Sequence, residues 1–346
     1  MTLLYFILVL GITIFVHELG HFIFAKKAKV HIYEFAIGMG PKLFSFKRIN
    51  DETTYSIRLI PLGGFVQMAG EEIEEDRSIP AERRMQSKTW FQRFKIIVAG
   101  ALFNFLLALL LLFMMGLFYG SPEMKPVIGK VHKDYPAYDQ GVEKGDLILT
   151  IDGKKMRTWD EVLLFLELSK DGKALVFELK DTSGEFKKVT IQPIEEEENG
   201  IVKYKYGLGI TEDKNYGLGA AIKFTFTKFL TIIDSMFKVI GNLITGGLGI
   251  NNLAGPVGIY NIIGEEVSNG LVSALYLISF LSINVGFINL IPFPAFDGGR
   301  ILFLVIEKIK GSKVNPKTEN IIHNIGFALL ILLMLIITIQ DIKKLF

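Results

Sequence analysis

Four stretches of this chain are apolar for long enough to cross a bilayer, and that limits its fold more than any other feature. A hydrocarbon core of ~30 Å takes about 20 helical residues, and no backbone polar group inside it can go unpaired. The stretches are residues 2–25, 96–119, 271–291 and 325–339. The first lacks the basic start and small-residue cleavage site of an export signal, so it reads as a span. Charged residues make up 21% of the chain, below the ~25% of soluble domains. The expected fold class is an α-helical polytopic membrane protein with four transmembrane helices.

Basic residues set the expected sidedness. Lys26, Lys27, Lys29, Arg83, Arg84, Arg93 and Lys95 lie between spans one and two, and Lys308, Lys310, Lys313 and Lys317 precede span four. By the positive-inside rule both regions are cytoplasmic, although Lys343 and Lys344 pull weakly the other way. The expected order is span one (1–25), a cytoplasmic loop (26–95), span two (96–119), an inserted extracytoplasmic α/β module (124–212), an amphipathic interfacial segment (213–270), span three with a broken helix (271–306) and span four (325–341). Within the loop, residues 54–60 alternate and then turn at 61–64 into Phe65, Val66, Gln67 and Met68, the pattern of a membrane-associated β-hairpin. The module shows short alternating runs, a helical stretch at 159–168 and turns at Asp152-Gly153 and Asp171-Gly172. The acidic run 195–198 reads as a solvated loop.

Composition narrows the chemistry. There is no cysteine, so any metal must be held by His, Asp or Glu, and the balance of 38 basic against 36 acidic residues excludes a nucleic-acid footprint. His17-Glu18-Leu19-Gly20-His21 sits inside span one. Residues i and i+4 share a helix face, so two imidazoles can grip one ion while the glutamate stands about 100° around the helix as a base. Ionisable groups in a span cost roughly 2.5–3.5 kcal/mol and mark function. A catalytic zinc takes a third protein ligand. Asp297 is the preferred candidate because it ends the apolar run 289–297, where prolines and glycines break the helix; the plainer reading is an N-cap for a helix over 301–306. His31 and His132 lie in a loop and in the module, and His323 at the start of span four stays open.

This constellation, with Asn289, Pro292, Pro294, Asp297 and Gly298 in a late span, resembles the site-2 protease family of intramembrane zinc metalloproteases. The module between the central spans resembles that of its bacterial RseP-like branch. Further matches are 37–41, 60–68 and 88–100 followed by Asn104-Phe105. The resemblance implies Zn2+ held by His17, His21 and Asp297, Glu18 as general base, and Asn284 and Asn289 gripping the substrate chain. It also implies regulated proteolysis of single-span membrane proteins, such as anti-sigma factors or remnant signal peptides, after a first cut by another protease. The setting would be the bacterial cytoplasmic membrane with its lipid, with no nucleic acid and no small-molecule cofactor besides zinc. The module itself resembles a PDZ domain, with Gly207, Leu208, Gly209 and Ile210 as its expected ligand loop. The sequence departs from the family at Ala101, where proline is usual, and at Arg300, where some relatives have histidine. It has one module where the best-known relatives have two. The rival readings are a proton- or metal-coupled transporter and a non-catalytic PDZ scaffold.

Overall fold

The computed structural model describes residues 2–71, 78–169, 172–198, 201–249 and 253–343. Asp171 of the second expected turn and Lys344 lie outside these residues. The chain divides into two units, Met1–Leu111 with Ile250–Phe346, and Leu112–Gly249.

In the first unit, α1 (Thr2–Lys27) carries Lys26 and Lys27 in its last turn, where cations complement the helix dipole. Two long strands come next, β1 (Ile32–Lys47) and β2 (Thr54–Met68). Their pairing differs from the expected hairpin. Ala36 pairs with both Phe65 and Ser56, and Phe35 with both Val66 and Tyr55, while Phe46 pairs with Tyr55 again. The start of β1 therefore lies between the two halves of β2, and the partner of Phe65–Met68 is the segment 32–36, not 54–60. Glycines at positive φ allow these strands to fold across one another; Gly38 (φ 87°) has the Ile60 carbonyl so close that a Cβ would stand 2.7 Å from it. Met39, Leu43, Phe44, Phe46, Leu59 and Ile60 are exposed, an apolar surface that suits contact with lipid.

Helix α2 (Trp90–Tyr119) begins six residues before the expected span, with Arg93 in its first turn paired to Glu307. Ala25, Ile32, Phe35, Val66, Met68, Ile96, Ile97 and Leu304 form the buried core that joins α1, the sheet and α2.

The second unit runs on through β3 (Ser121–Pro122), β4 (Ile128–Val131), α3 (Pro136–Asp139), β5 (Leu147–Ile151), β6 (Lys154–Lys155), α4 (Trp159–Leu168), β7 (Leu175–Lys180), β8 (Phe186–Ile191), β9 (Ile194–Glu198), β10 (Ile201–Lys205), β11 (Leu208–Ile210) and β12 (Lys214–Asn215). A four-stranded sheet, β6-β5-β7-β8, packs Ile148, Ile151, Phe177, Leu179 and Ile191 against Trp159 and Val162 of α4. Thr158 caps α4 by accepting the Glu161 N–H at 3.3 Å. The acidic run is strand β9 instead of a loop. It pairs with β10, and Lys205 Nζ lies 2.6 Å from Glu196 Oε2, so an opposite charge offsets the carboxylate.

Helix α5 (Leu218–Thr245) buries Ala221, Phe224, Thr225 and Ile232 and leaves Ile222, Phe226, Leu230 and Phe237 exposed. It lacks the sustained hydropathy of a span. In the first unit again, α6 (Pro256–Ser268), α7 (Leu271–Leu290), α8 (Asp297–Lys310) and α9 (Pro316–Lys343) complete the chain. Among the described residues, four helices are long and apolar enough to cross a membrane: Thr2–Lys27, Trp90–Tyr119, Leu271–Leu290 and Lys317–Lys343. The apolar window of α2 is 44% buried within the protein and that of α9 only 11%, so α2 is central and α9 peripheral.

Candidate metal centre and cleft

The site forms where α1 and α2 come unusually close. A Cβ on Gly20 would stand 2.3 Å from the Ala99 carbonyl oxygen, and one on Gly100 would stand 2.4 Å from His21 Nε2 and 2.8 Å from His17 Cε1. Only glycine at these positions lets the two backbones approach and leaves room for both rings. The third member arrives from a broken helix. Pro292 and Pro294 end α7, Phe296 donates to the Phe293 carbonyl at 3.0 Å, and α8 begins at Asp297. Gly298 packs so tightly under Ile291 that a Cβ would lie 2.1 Å from its carbonyl oxygen. Asp297 makes no side-chain cap to its own helix, whose N-cap is Phe296, so the expected capping role does not hold it.

The carboxylate turns instead to the histidines. His17 Nε2 to His21 Nε2, His17 Nε2 to Asp297 Oδ2 and His21 Nε2 to Asp297 Oδ2 are each 3.2 Å. Those atoms form an equilateral triangle. Ligand atoms bonded at 2.0–2.1 Å to a tetrahedral ion lie about 3.3 Å apart, so the triangle matches one face of a zinc site. Asp297 Oδ2 is buried with no hydrogen-bond partner, despite its distance to both rings. Such an atom carries an uncompensated desolvation cost, which a cation removes. His21 Nδ1 lies 2.8 Å from the Ile96 carbonyl, so it carries the proton and leaves Nε2 with a free lone pair.

Asn104 of α2 was not singled out by the sequence pattern as an orienting group. Its Nδ2 stands 3.4 Å from His17 Nδ1, while its Oδ1 is buried without a partner. Exchanging the amide oxygen and nitrogen lets Oδ1 accept from His17 Nδ1–H, so that both imidazoles are oriented from α2.

A cleft of about 890 Å³ opens beside the triangle, lined by Glu18, by Gly64 and Phe65–Met68 of β2, by Asn289 and by His323 among others. Gly64 is close enough to Glu18 that a Cβ there would stand 3.3 Å from Glu18 Cγ. The carboxylate next to His17 in sequence thus lies beside the strand. His323 borders the cleft but is not in the cluster that could hold a metal ion, which comprises His17, His21 and Asp297. Asn284 does not reach the cleft; its Nδ2 donates to the Phe280 carbonyl one turn back, at 2.7 Å. In the second unit, the expected ligand loop is mostly strand: Leu208 pairs with Val131 and Ile210 with Ile128, and Gly207 (φ 83°) accepts the His132 N–H at 3.0 Å.

Comparison with known proteins gave three findings. The model of peptidase family M50 matches residues 5–333. Zinc metalloprotease RasP of Bacillus licheniformis is 34% identical over 422 aligned positions, covering 100% of this chain and 99% of that protein, and regulator of sigma-W protease RasP of Bacillus subtilis is 32% identical with the same coverage. A solved PDZ domain of an SdrC-like protein from Listeria monocytogenes covers 25% of this chain and 87% of its own, at TM-score 0.22 and 23% identity.

Proposed function

The chain belongs to peptidase family M50, and from that premise we propose that His17, His21 and Asp297 hold its zinc ion and that Glu18 is its catalytic base. It is a zinc-dependent intramembrane protease whose substrates are membrane proteins. The transporter and scaffold readings are therefore set aside. The observation that supports the residue assignment is the triangle of 3.2 Å contacts, together with the buried, unpartnered Asp297 Oδ2.

Zinc at such a centre acidifies water and polarises a carbonyl oxygen. Glu18, one residue around the helix from His17 and bordering the same cleft, takes the proton of the attacking water and returns it to the leaving amine. Asn289 lies in the cleft and holds the substrate backbone near the scissile bond; Asn284, bonded to its own helix, has no such part.

A helical substrate needs more than this, because its peptide groups are closed in its own hydrogen bonds and each freed group in lipid costs several kcal/mol. The outer edge of residues 64–68 offers replacement partners. Pairing there draws the substrate out as an added strand beside Glu18. Its substrates are single-span membrane proteins already trimmed by another protease; the name of one relative, regulator of sigma-W protease RasP, supports a regulatory role for the cleavage. The setting is a bacterial cytoplasmic membrane, and the charge distribution supports an orientation with the strands and cleft on its inner side and the PDZ-like module, 124–212, outside. There the second edge of β11 receives extended chain ends.

The test is Glu18→Gln, with zinc content and cleavage of a single-span substrate measured on the same preparation. Cleavage disappears and bound zinc stays at the wild-type level. Loss of the metal, or near-normal turnover, refutes the role of Glu18.

A further inference from the structure

The strand edge beside the cleft has an end, and a carboxylate occupies it. Backbone N–H groups alternate sides along a strand. Ala69 donates to the His31 carbonyl at 2.9 Å, on the β1 side, whereas Met68 donates the other way, to Glu71 Oε2 at 3.3 Å. By alternation Gly64 and Val66 present their N–H groups on the side of Met68, and Phe65 and Gln67 present theirs to β1.

Glu71 is fixed at three further points. Its N–H donates to the Met68 carbonyl at 3.4 Å, its carbonyl accepts from Asn320 Nδ2 at 3.5 Å, and its Oε1 pairs with Arg300 Nη1. Arg300 lies one turn beyond Asp297 on α8. One carboxylate therefore links the last outward donor of the edge to the helix that bears Asp297. Glu71 and Arg300 border both the cleft and a second cavity of about 170 Å³ beside it.

We propose that Glu71, held by Arg300, is a specificity-determining stop that fixes the register of the substrate strand. The proposal rests on the strand-addition reading and deepens it. A segment laid along the edge pairs at Gly64 and Val66. It ends before Met68, because that donor is taken and a substrate carbonyl there meets a carboxylate. A slip of one residue turns every substrate side chain to the opposite face, so competing registers differ by two residues. Closing the edge at Met68 selects one of them and thereby chooses the peptide bond that lies next to Glu18.

The experiment uses the full-length, zinc-loaded protein and a helical single-span substrate, with product termini identified by mass spectrometry. Glu71→Ala frees the Met68 donor and produces a second scission two residues from the main one, within about fivefold of it, the weight of one hydrogen bond. Glu71→Gln keeps an acceptor and keeps the wild-type site. Arg300→Gln unties the stop without removing it and gives the second site at a smaller share, so the proposal stays testable if Glu71→Ala folds poorly. Bound zinc is unchanged in the Glu71 variants. Cleavage by Glu71→Ala and Arg300→Gln only at the wild-type bond overturns the stop. Val66→Pro separates this from the underlying reading: if it abolishes cleavage of the helical span while Glu71→Ala keeps the wild-type site, the stop alone fails. If Val66→Pro cuts normally, strand addition fails and the stop with it.

Discussion

Gly100→Ala adds one methyl group to α2 and places it in the metal centre. The new Cβ would stand 2.4 Å from His21 Nε2, 2.7 Å from His21 Cε1 and 2.8 Å from His17 Cε1, where ordinary contact begins at 3.4 Å. The His21 ring must therefore retreat by about 1 Å, several times the ±0.2 Å within which metal–ligand distances hold. Its Nδ1 is tied to the Ile96 carbonyl, so it cannot swing freely. Disturbing a partner that merely orients a ligand costs ~10–100-fold in metal affinity. Displacing the ligand atom itself costs at least the upper end of that range. The fold loses little: alanine gains about 1 kcal/mol over glycine in a helix interior, against about 1–3 kcal/mol for overpacking. Gly11→Ala on α1 is the matched control, since a Cβ there meets nothing within 4 Å. Zinc affinity is measured by chelator competition on both purified variants, with expression and thermal unfolding of the metal-free forms alongside. Gly100→Ala loses about 100-fold in affinity or more, and Gly11→Ala binds as wild type. Wild-type affinity in Gly100→Ala refutes the packing of these imidazoles against α2.

Two further predictions concern the assigned ligands and the strand edge. Asp297→Asn lowers bound zinc, because a neutral amide replaces the anionic donor, whereas His323→Ala leaves zinc content unchanged; full metal in Asp297→Asn removes the carboxylate from the ligand set. Val66→Pro deletes an outward donor and cripples cleavage of helical spans while sparing zinc and an already extended peptide, whereas Phe65→Pro deletes a donor to β1 and shows first as increased proteolytic sensitivity of the loop; equal, normal cleavage by both contradicts the alternation argued for this edge.

The spacing of His17, Glu18 and His21 was legible because helical periodicity alone puts the two imidazoles on one face. Asp297 was legible because a lone carboxylate at the end of an apolar, proline-broken run has few other uses. The order of the strands was not. Alternation reports that 54–60 and 65–68 are extended, but not that 32–36 lies between them, and the positive-φ glycines that permit it look like ordinary turn residues. Helix limits were missed for a related reason. The early turns of α9 carry Glu319, Asn320 and His323 toward the two cavities, so a search for apolar length finds only the later turns of that helix. Asn104 and the Ile96 carbonyl act through space, and the available hint was the small-residue pair Ala99-Gly100, which faces Gly20. The acidic run misled because charge was read without its cross-strand partner Lys205.

The proposed ligand set is divided along the chain: two imidazoles sit in α1 and the carboxylate in α8. During synthesis α1 and α2 are made early, and these already contain the paired histidines, their orienting groups and Glu18. The carboxylate is absent until α7 has entered the bilayer and α8 has been made behind it. A nascent or truncated chain therefore holds the proposed base and two of the three proposed ligands but no complete centre. On the proposed ligand set, proteolytic competence arrives only with the late helices, and the order of translation itself keeps an unfinished protease inert among the membrane proteins being assembled around it.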